Sequence, residues 1–293
     1  MCTELRRRVF LVTANNLKVD VHHAIEANVN SYVFSDDKGT FIIDCTRNSE
    51  EARKVAALAR SKGADPETIL ITHGHPDHYL GMGAILQEFP NIRFVVASQG
   101  VKDDIIGFTQ WMDSVNWLEG EPHMKSKSDQ NPDGFDYEGR LEVLQSSTLQ
   151  LPGGGVLQIK SDYPPTECAH MTTVFAEDLN ALFTIDLTYN KVHIWMGVGV
   201  AREHINNWQE QLDKLKEQYG PLNATIYPGH GNPTDVSIFD IDKKYMNDLL
   251  DTIEASKSED EAKQKMMQLY PDWENTDFLL MHSVKNQFEL ANK

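Results

Sequence analysis

Thr72-His73-Gly74-His75-Pro76-Asp77-His78 puts three of the chain's 11 histidines and one aspartate within six positions. A lone histidine is usually a hydrogen-bonded core residue. Three beside a carboxylate instead offer imidazole nitrogens and a carboxylate oxygen at a density that suits a divalent cation such as Zn²⁺. In a tight turn alternate residues point one way and their neighbours another. His73 and His75 can therefore serve one ion while Asp77 and His78 reach a second beside it. Four side chains are too few for two ions, so further ligands must come from downstream.

The cluster is positioned by its neighbours in the chain. It follows Thr68-Ile69-Leu70-Ile71-Thr72, a continuous apolar run typical of a buried strand. It precedes a helix expected over Tyr79–Phe89, with Met82, Ile85, Leu86 and Phe89 at helical spacing. Upstream, Asn28–Phe34 and Thr40–Asp44 read as strands around a polar turn. Asn48 or Ser49 caps a helix over Glu50–Lys62, which Gly63 stops. Ile92–Ala97 is a further strand. This βαβα order predicts helices packed on a sheet, with the cluster at a strand end, where α/β folds place their sites.

From Val101 to Leu149 the rhythm breaks, with Phe108, Trp111, Met112 and Trp117 preceding a polar loop over residues 125–134. A hairpin is expected at Leu149–Ile159 around Gly153-Gly154-Gly155. Strands follow at Met171–Phe175 and Ala181–Ile185, then a helix at Ile205–Tyr219 and a strand at Ala224–Tyr227. Beyond about Asp235 the chain reads as helical. Tyr245, Leu249 and Ile253 share one face, Ser258 and Glu261 form a capping box, and Phe278–Phe288 is amphipathic.

The chain has 293 residues, 27 Lys+Arg against 44 Asp+Glu (27 − 44 = −17) and 40% hydrophobic residues. That apolar content excludes intrinsic disorder. No run approaches the ~20 apolar residues of a membrane helix. The acidic balance and the lack of a basic arm disfavour nucleic acid as a partner. Three scattered cysteines (Cys2, Cys45, Cys168) give no disulfide framework and suit a reducing compartment. The basic start at Arg6-Arg7-Arg8 is followed by an apolar run, Val9–Val12, too short for a secretory signal. It reads as a first strand, and the protein as cytoplasmic.

The histidine motif resembles the signature of the metallo-β-lactamase superfamily, and the resemblance extends over roughly residues 10–235. Its later motifs find counterparts in Cys168-Ala169-His170-Met171, Phe183-Thr184-Ile185-Asp186 and Tyr227-Pro228-Gly229-His230-Gly231. The resemblance implies an α/β fold, an αβ/βα four-layer sandwich, as a catalytic domain over residues 1–235 with a lid-like insertion at about 101–149. The helical extension over 236–293 packs on it. It further implies a dinuclear centre in which His73, His75 and His170 hold one metal, Asp77, His78 and His230 hold the other, and Asp186 bridges. Two divalent ions, Zn²⁺ first and Fe or Mn as alternatives, would lower the pKa of a shared water and generate a hydroxide nucleophile. Asp77, the candidate catalytic residue, would orient it. The implied reaction is hydrolysis of an ester-like bond in a lactone, ester, thioester or related small molecule.

Departures from the family pattern touch the pocket wall. Ala169-His170-Met171 stands where Gly-His-Thr is common, and Ile185 stands where a Gly commonly precedes the bridging Asp. His75 occupies the place of the Glu of flavodiiron relatives, and Asp186 the place of a Cys ligand in several β-lactamases. The first argues against a diiron flavoprotein, and the second favours a glyoxalase- or lactonase-like dinuclear site over antibiotic hydrolysis. Tyr189, His193, Trp111 and Trp117 are expected as substrate contacts. His22 and His23 read as surface or pocket residues, and His123, His204 and His282 as solvated or packed. Cys168 reads as a buried thiol that could lie near the metals, and Tyr79 as a packing residue. Two other readings compete: an iron-dependent oxidoreductase of the persulfide dioxygenase type on the same scaffold, and a metal-binding protein without turnover. The acidic surplus disfavours highly anionic substrates. A homo-oligomer is compatible with all three readings.

Overall fold

Strict alternation along the strands decides the layers. In β2 (Asn30–Ser35), Tyr32 and Phe34 enter one hydrophobic core while Val33 enters another. The same split separates Phe41 and Ile43 from Ile42 in β3 (Thr40–Ile43), and Leu70 from Ile69 and Ile71 in β4 (Pro66–Ile71). A strand whose odd and even residues are both apolar is buried on both faces, so each strand needs a cover on either side. The computed structural model, which describes residues 16–292, supplies those covers. The strand expected at Val9–Val12 and Cys2 lie outside the described residues.

The first sheet has six strands in the order β1-β2-β3-β4-β5-β6, with β1 at Lys18–His23, β5 at Arg93–Val96 and β6 at Leu141–Val143. One face packs against α1 (Ser49–Arg60), α3 (Met82–Glu88) and α4 (Gln99–Ser114), which bury Val55, Ile85 and Ile105 in the shared core. The other face meets the second sheet, five strands ordered β11-β10-β9-β8-β7. These are β7 (Thr148–Gln150), β8 (Val156–Lys160), β9 (Thr173–Ala176), β10 (Ala181–Asn190) and β11 (Thr225–Gly231). Phe183 of β10 packs edge-on against Tyr32 at 4.9 Å, joining the sheets. Helices α6 (Arg202–Tyr219) and α7 (Ile238–Glu254) cover the second sheet, and the Trp208 indole donates to the Leu187 carbonyl at 2.9 Å. This is the expected αβ/βα sandwich. The C-terminal helices α7, α8 (Glu259–Leu269) and α9 (Met281–Ala291) share its larger core.

Local chemistry follows the sequence closely in places. The Asn48 side chain accepts from Glu51 N at 2.9 Å to cap α1, and the Ser258 hydroxyl caps α8 by accepting from Glu261 N. Two elements differ from expectation. The helix expected over Tyr79–Phe89 is split into α2 (Pro76–Tyr79) and α3, because Gly81 N donates to Thr46 O and a Cβ at Gly81 would collide with Cys45 O. The stretch from Val101 to Leu149, where the sequence rhythm breaks, carries most of α4, the short α5 (Tyr137–Arg140) and the sheet strand β6. No helix among the described residues is long and apolar enough to cross a membrane.

Candidate metal centre

His73 and His75 sit in the turn leaving β4, and Asp77 and His78 in the short α2 that follows it. Asp186 and His230 come from β10 and β11 of the opposite sheet. The backbone at Asp186 is bent. Ile185 adopts φ +52°, a left-handed conformation costly for a β-branched residue, and the β10–β11 register shifts on either side of it. Here the glycine-to-isoleucine departure is absorbed as strain. Gly229 allows the approach of β11, since a Cβ there would collide with Asp186 Oδ1.

Three imidazoles converge on the Asp186 carboxylate through their Nε2 atoms: His78 at 3.1 Å, His230 at 3.3 Å and His73 at 3.5 Å. Their Nδ1 atoms are held from behind. His230 Nδ1 meets the Ala27 carbonyl at 2.8 Å, and His78 Nδ1 meets Asp44 Oδ2 at 2.8 Å. Thr72 Oγ1 donates to Asp44 Oδ2 at 2.8 Å, which leaves its lone pair to accept from His73 Nδ1 at 3.0 Å. With each Nδ1 held by an oxygen, each Nε2 faces inward and would offer its lone pair to a metal on giving up the proton it shares with Asp186.

The buried and half-buried donors form two groups whose atoms lie within 4.8 Å of one another: His73, His75, Glu167 and Asp186, and Asp77, His78 and His230. His73 Nε2, His78 Nε2, Asp186 Oδ1 and both Glu167 oxygens are buried and make no well-directed hydrogen bond among the described residues, their close contacts being with one another and with His75. Orphaned polar atoms of this kind are costly, and a pair of divalent cations would satisfy them. The residues present therefore fit the implied metals. Electrostatics agree. Burial opposes the charge on Asp186, but His78, His230 and His73 hold it ionised well below the usual carboxylate range. Burial disfavours the charged His75 imidazole, yet Glu167, Asp77 and Asp186 raise it to about 9.

Six of the seven residues named as metal ligands from the sequence are brought together; His170 is not. Its side chain is 45% exposed and its Nδ1 pairs with Asp104 Oδ2 at 2.8 Å. Glu167, not among the ligands expected from the sequence, stands with His73, His75 and Asp186 instead, its Oε1 2.9 Å from His75 Nδ1. The signal for it was weak: one acid between Pro164-Pro165 and a buried strand. Cys168 points to its own loop, its thiol donating to the His170 carbonyl at 3.2 Å.

Above the cluster opens a cavity of about 370 Å³, into which Trp111, Trp117 and Tyr189 all project. Tyr189 donates through its hydroxyl to Asp186 Oδ2 at 3.0 Å and stacks on His230 at 4.6 Å, so it braces the cluster as well as lining the cavity. Trp195, Phe278 and His282 were not expected there. The spacing of Phe278 and His282, four apart on one helical face, was the available signal.

His193, expected as a substrate contact, lies elsewhere. The bridge between Val192 and Glu274 turns it under the C-terminal helices, where Nδ1 meets the Tyr245 hydroxyl at 2.8 Å and the ring packs on Trp273. Burial, helped by Lys263, lowers its pKa to about 4. The unfolded chain takes up this proton near pH 6.5 and the native state refuses it until about pH 4, so stability falls as the pH drops through that window. The loss by pH 4 is about 3 kcal/mol. Urea melts of wild type and His193→Gln across pH 4–7 should show the shallower slope in the variant. Equal slopes would refute the assignment. His22 and His23 are engaged with Glu51 and Asn30, outside the cavity.

A family model for the metallo-β-lactamase superfamily matches residues 24–230, and the chain belongs to that superfamily. Solved structures of similar fold include a metallo-β-lactamase family protein from Thermus thermophilus, 18% identical over 94% of this chain and 93% of that one, with a TM-score of 0.65. A metallo-β-lactamase from Pontibacter korlensis is 15% identical over 79% of this chain and 94% of that one, with a TM-score of 0.56. At these identities the likeness is one of fold. No curated protein sequence matches the chain.

Proposed function

We propose that the protein is a metal-dependent hydrolase that cleaves an ester-like bond in a small molecule. His73, His75 and Glu167 would hold one divalent cation and Asp77, His78 and His230 a second, with the Asp186 carboxylate in contact with imidazoles of both groups. The observation that carries this reading is the set of inward-facing donor atoms on His73, His78, Glu167 and Asp186 that make no well-directed hydrogen bond. Zn²⁺ is the first metal to test, and the same donors accept Fe or Mn. When bound, such a pair supplies Lewis acidity toward the scissile group and a nucleophilic hydroxide near neutral pH.

The chain's own residues do the rest. Asp77 lines the cavity floor and can accept a hydrogen bond from the attacking water, fixing its approach. Tyr189 and the Asp44–Thr72 pair hold Asp186 and the imidazoles in one geometry, which lowers the reorganisation needed at the moment of reaction. The aromatic walls displace water and hold the body of the substrate. The partner in this reading is a small molecule, and the compartment is the cytoplasm.

Metal counting on the purified protein should find two ions per chain, and a panel of lactones, aryl esters, thioesters, β-lactams, sulfates and phosphodiesters should include a substrate. Chelation should abolish that hydrolysis and Zn²⁺ restore it. A two-metal protein inert toward every panel member would sink the reading. One observation favours a second reading. His73, His75 and Glu167 form a two-histidine, one-carboxylate set, the donor combination of non-haem Fe(II) oxygenases. A single iron per chain with oxygen consumption would establish the oxidoreductase instead.

A further inference from the structure

The cavity's walls and its charge balance select a kind of substrate. Phe108 and Trp111 stack at 5.3 Å with planes 13° apart, and Trp117 meets Trp111 edge-on at 5.2 Å. From the C-terminal half, Trp195 and Phe278 stack at 5.9 Å and 20°. Trp111 and Trp117 remain 46% and 55% exposed. Large rings left open to solvent around one cavity mark a binding surface rather than ordinary core. The volume of about 370 Å³ falls in the lower part of the range for small-molecule sites, enough for one or two rings.

Cationic recognition is missing from those walls. Among the described residues that line the cavity, Arg47 is the one Lys or Arg, and its guanidinium is 2.7 Å from Glu26 Oε1. Glu26 is itself fixed by the Asn48 amide at 2.7 Å. At the floor, Glu167 adds a third carboxylate to Asp77 and Asp186. Two divalent cations against three carboxylates leave 4 − 3 = +1, and ionisation of one water cancels that. A histidine in place of Glu167 would leave one more positive charge to attract an anion.

We propose that this site takes an uncharged substrate with a planar apolar ring system and discriminates against analogues bearing a carboxylate on that ring. The proposal rests on the hydrolase reading and specifies its substrate class. Burying a carboxylate among these rings without a free cation costs its hydration and returns no ion pair. Glu26, outside the metal cluster, sets the discrimination by occupying Arg47.

Methyl 4-acetoxybenzoate and 4-acetoxybenzoate present the same scissile acetyl ester, the first without and the second with a distal carboxylate. On the zinc-loaded protein the neutral ester should show a kcat/KM at least about tenfold higher, mostly through KM. Binding is read separately by quenching of tryptophan emission, since three of the five tryptophans line the cavity. Methyl 4-hydroxybenzoate should bind at least about tenfold tighter than 4-hydroxybenzoate, a difference of about 1.4 kcal/mol. Glu26→Gln should narrow that ratio by freeing Arg47, and Trp111→Ala should weaken the neutral ligand. Equal or tighter binding of the carboxylate by wild type, or a Trp111→Ala variant that binds the neutral ligand unchanged, would overturn the proposal. Discriminating quenching without turnover of either ester counts against the hydrolase reading alone. Turnover of both esters at equal kcat/KM counts against the substrate class alone.

Discussion

Glu167→Ala is expected to lower the metal content of the purified protein from two ions per chain toward one, while His170→Ala leaves it at two. The two residues are three apart in sequence and opposite in environment. Glu167 is buried, with neither oxygen in a well-directed hydrogen bond and one of them 2.9 Å from His75 Nδ1; His170 is half in solvent and paired with Asp104. Removing a buried ligand costs its coordinate bond and leaves His73 and His75 with a shared, incomplete site. Removing His170 costs only a half-exposed hydrogen bond to Asp104. The effect on affinity at the first position should reach two orders of magnitude or more, given that even outer partners of a ligand shift it by about 10–100-fold. Elemental analysis after dialysis against a weak chelator measures both variants. Loss of metal from His170→Ala with retention in Glu167→Ala would reverse the assignment.

The second large effect concerns a residue that touches no metal. Asp44 is fully buried, accepts from Thr72 N, Thr72 Oγ1 and His78 Nδ1, and holds a left-handed backbone at φ +59°. Asp44→Asn keeps the shape and tolerates the backbone, because asparagine is enriched at positive φ. It replaces one acceptor oxygen with an NH₂ that faces donors. Metal affinity should fall by about 10–100-fold through misorientation of His78. The metal-free protein should lose about 1–3 kcal/mol for each donor left stranded. Asp44→Ala should lose more, since it strands all three donors and adds the cost of alanine at positive φ. Urea melts of the metal-free forms separate the stability term from the metal term. If Asp44→Asn binds metal as wild type does, Asp44 is no more than a buried structural acid.

The fold was legible because both of its signals are local. Apolar runs bounded by turn residues marked the strands, and the Asn48 and Ser258 caps marked helix starts. The HxHxDH cluster was legible because its ligands are adjacent in sequence. What was not legible depends on contacts between distant residues. Whether Glu167 or His170 faces the centre is decided by the path of the loop before β9. A reader of the sequence ranks imidazole above carboxylate there for want of that path. His193 is turned away by pairing with a segment about 80 residues downstream, where its own N–H donates to Glu274 at 3.0 Å. The break before α3 comes from Thr46 and Cys45, an approach that helical periodicity cannot register.

The proposed ligand set is divided between the halves of the sandwich: His73, His75, Asp77 and His78 on one, Glu167, Asp186 and His230 on the other. Asn30 and Tyr32 of β2 already grip the turn carrying His230 by donating to the Pro228 carbonyl. Neither half alone can coordinate an ion fully, so occupancy works as a clasp on tertiary assembly. Free metal at about a hundred times its dissociation constant would add about 2.7 kcal/mol per site to the native state. Resistance of the chain to unfolding and proteolysis thus becomes a function of metal supply, whatever substrate it meets.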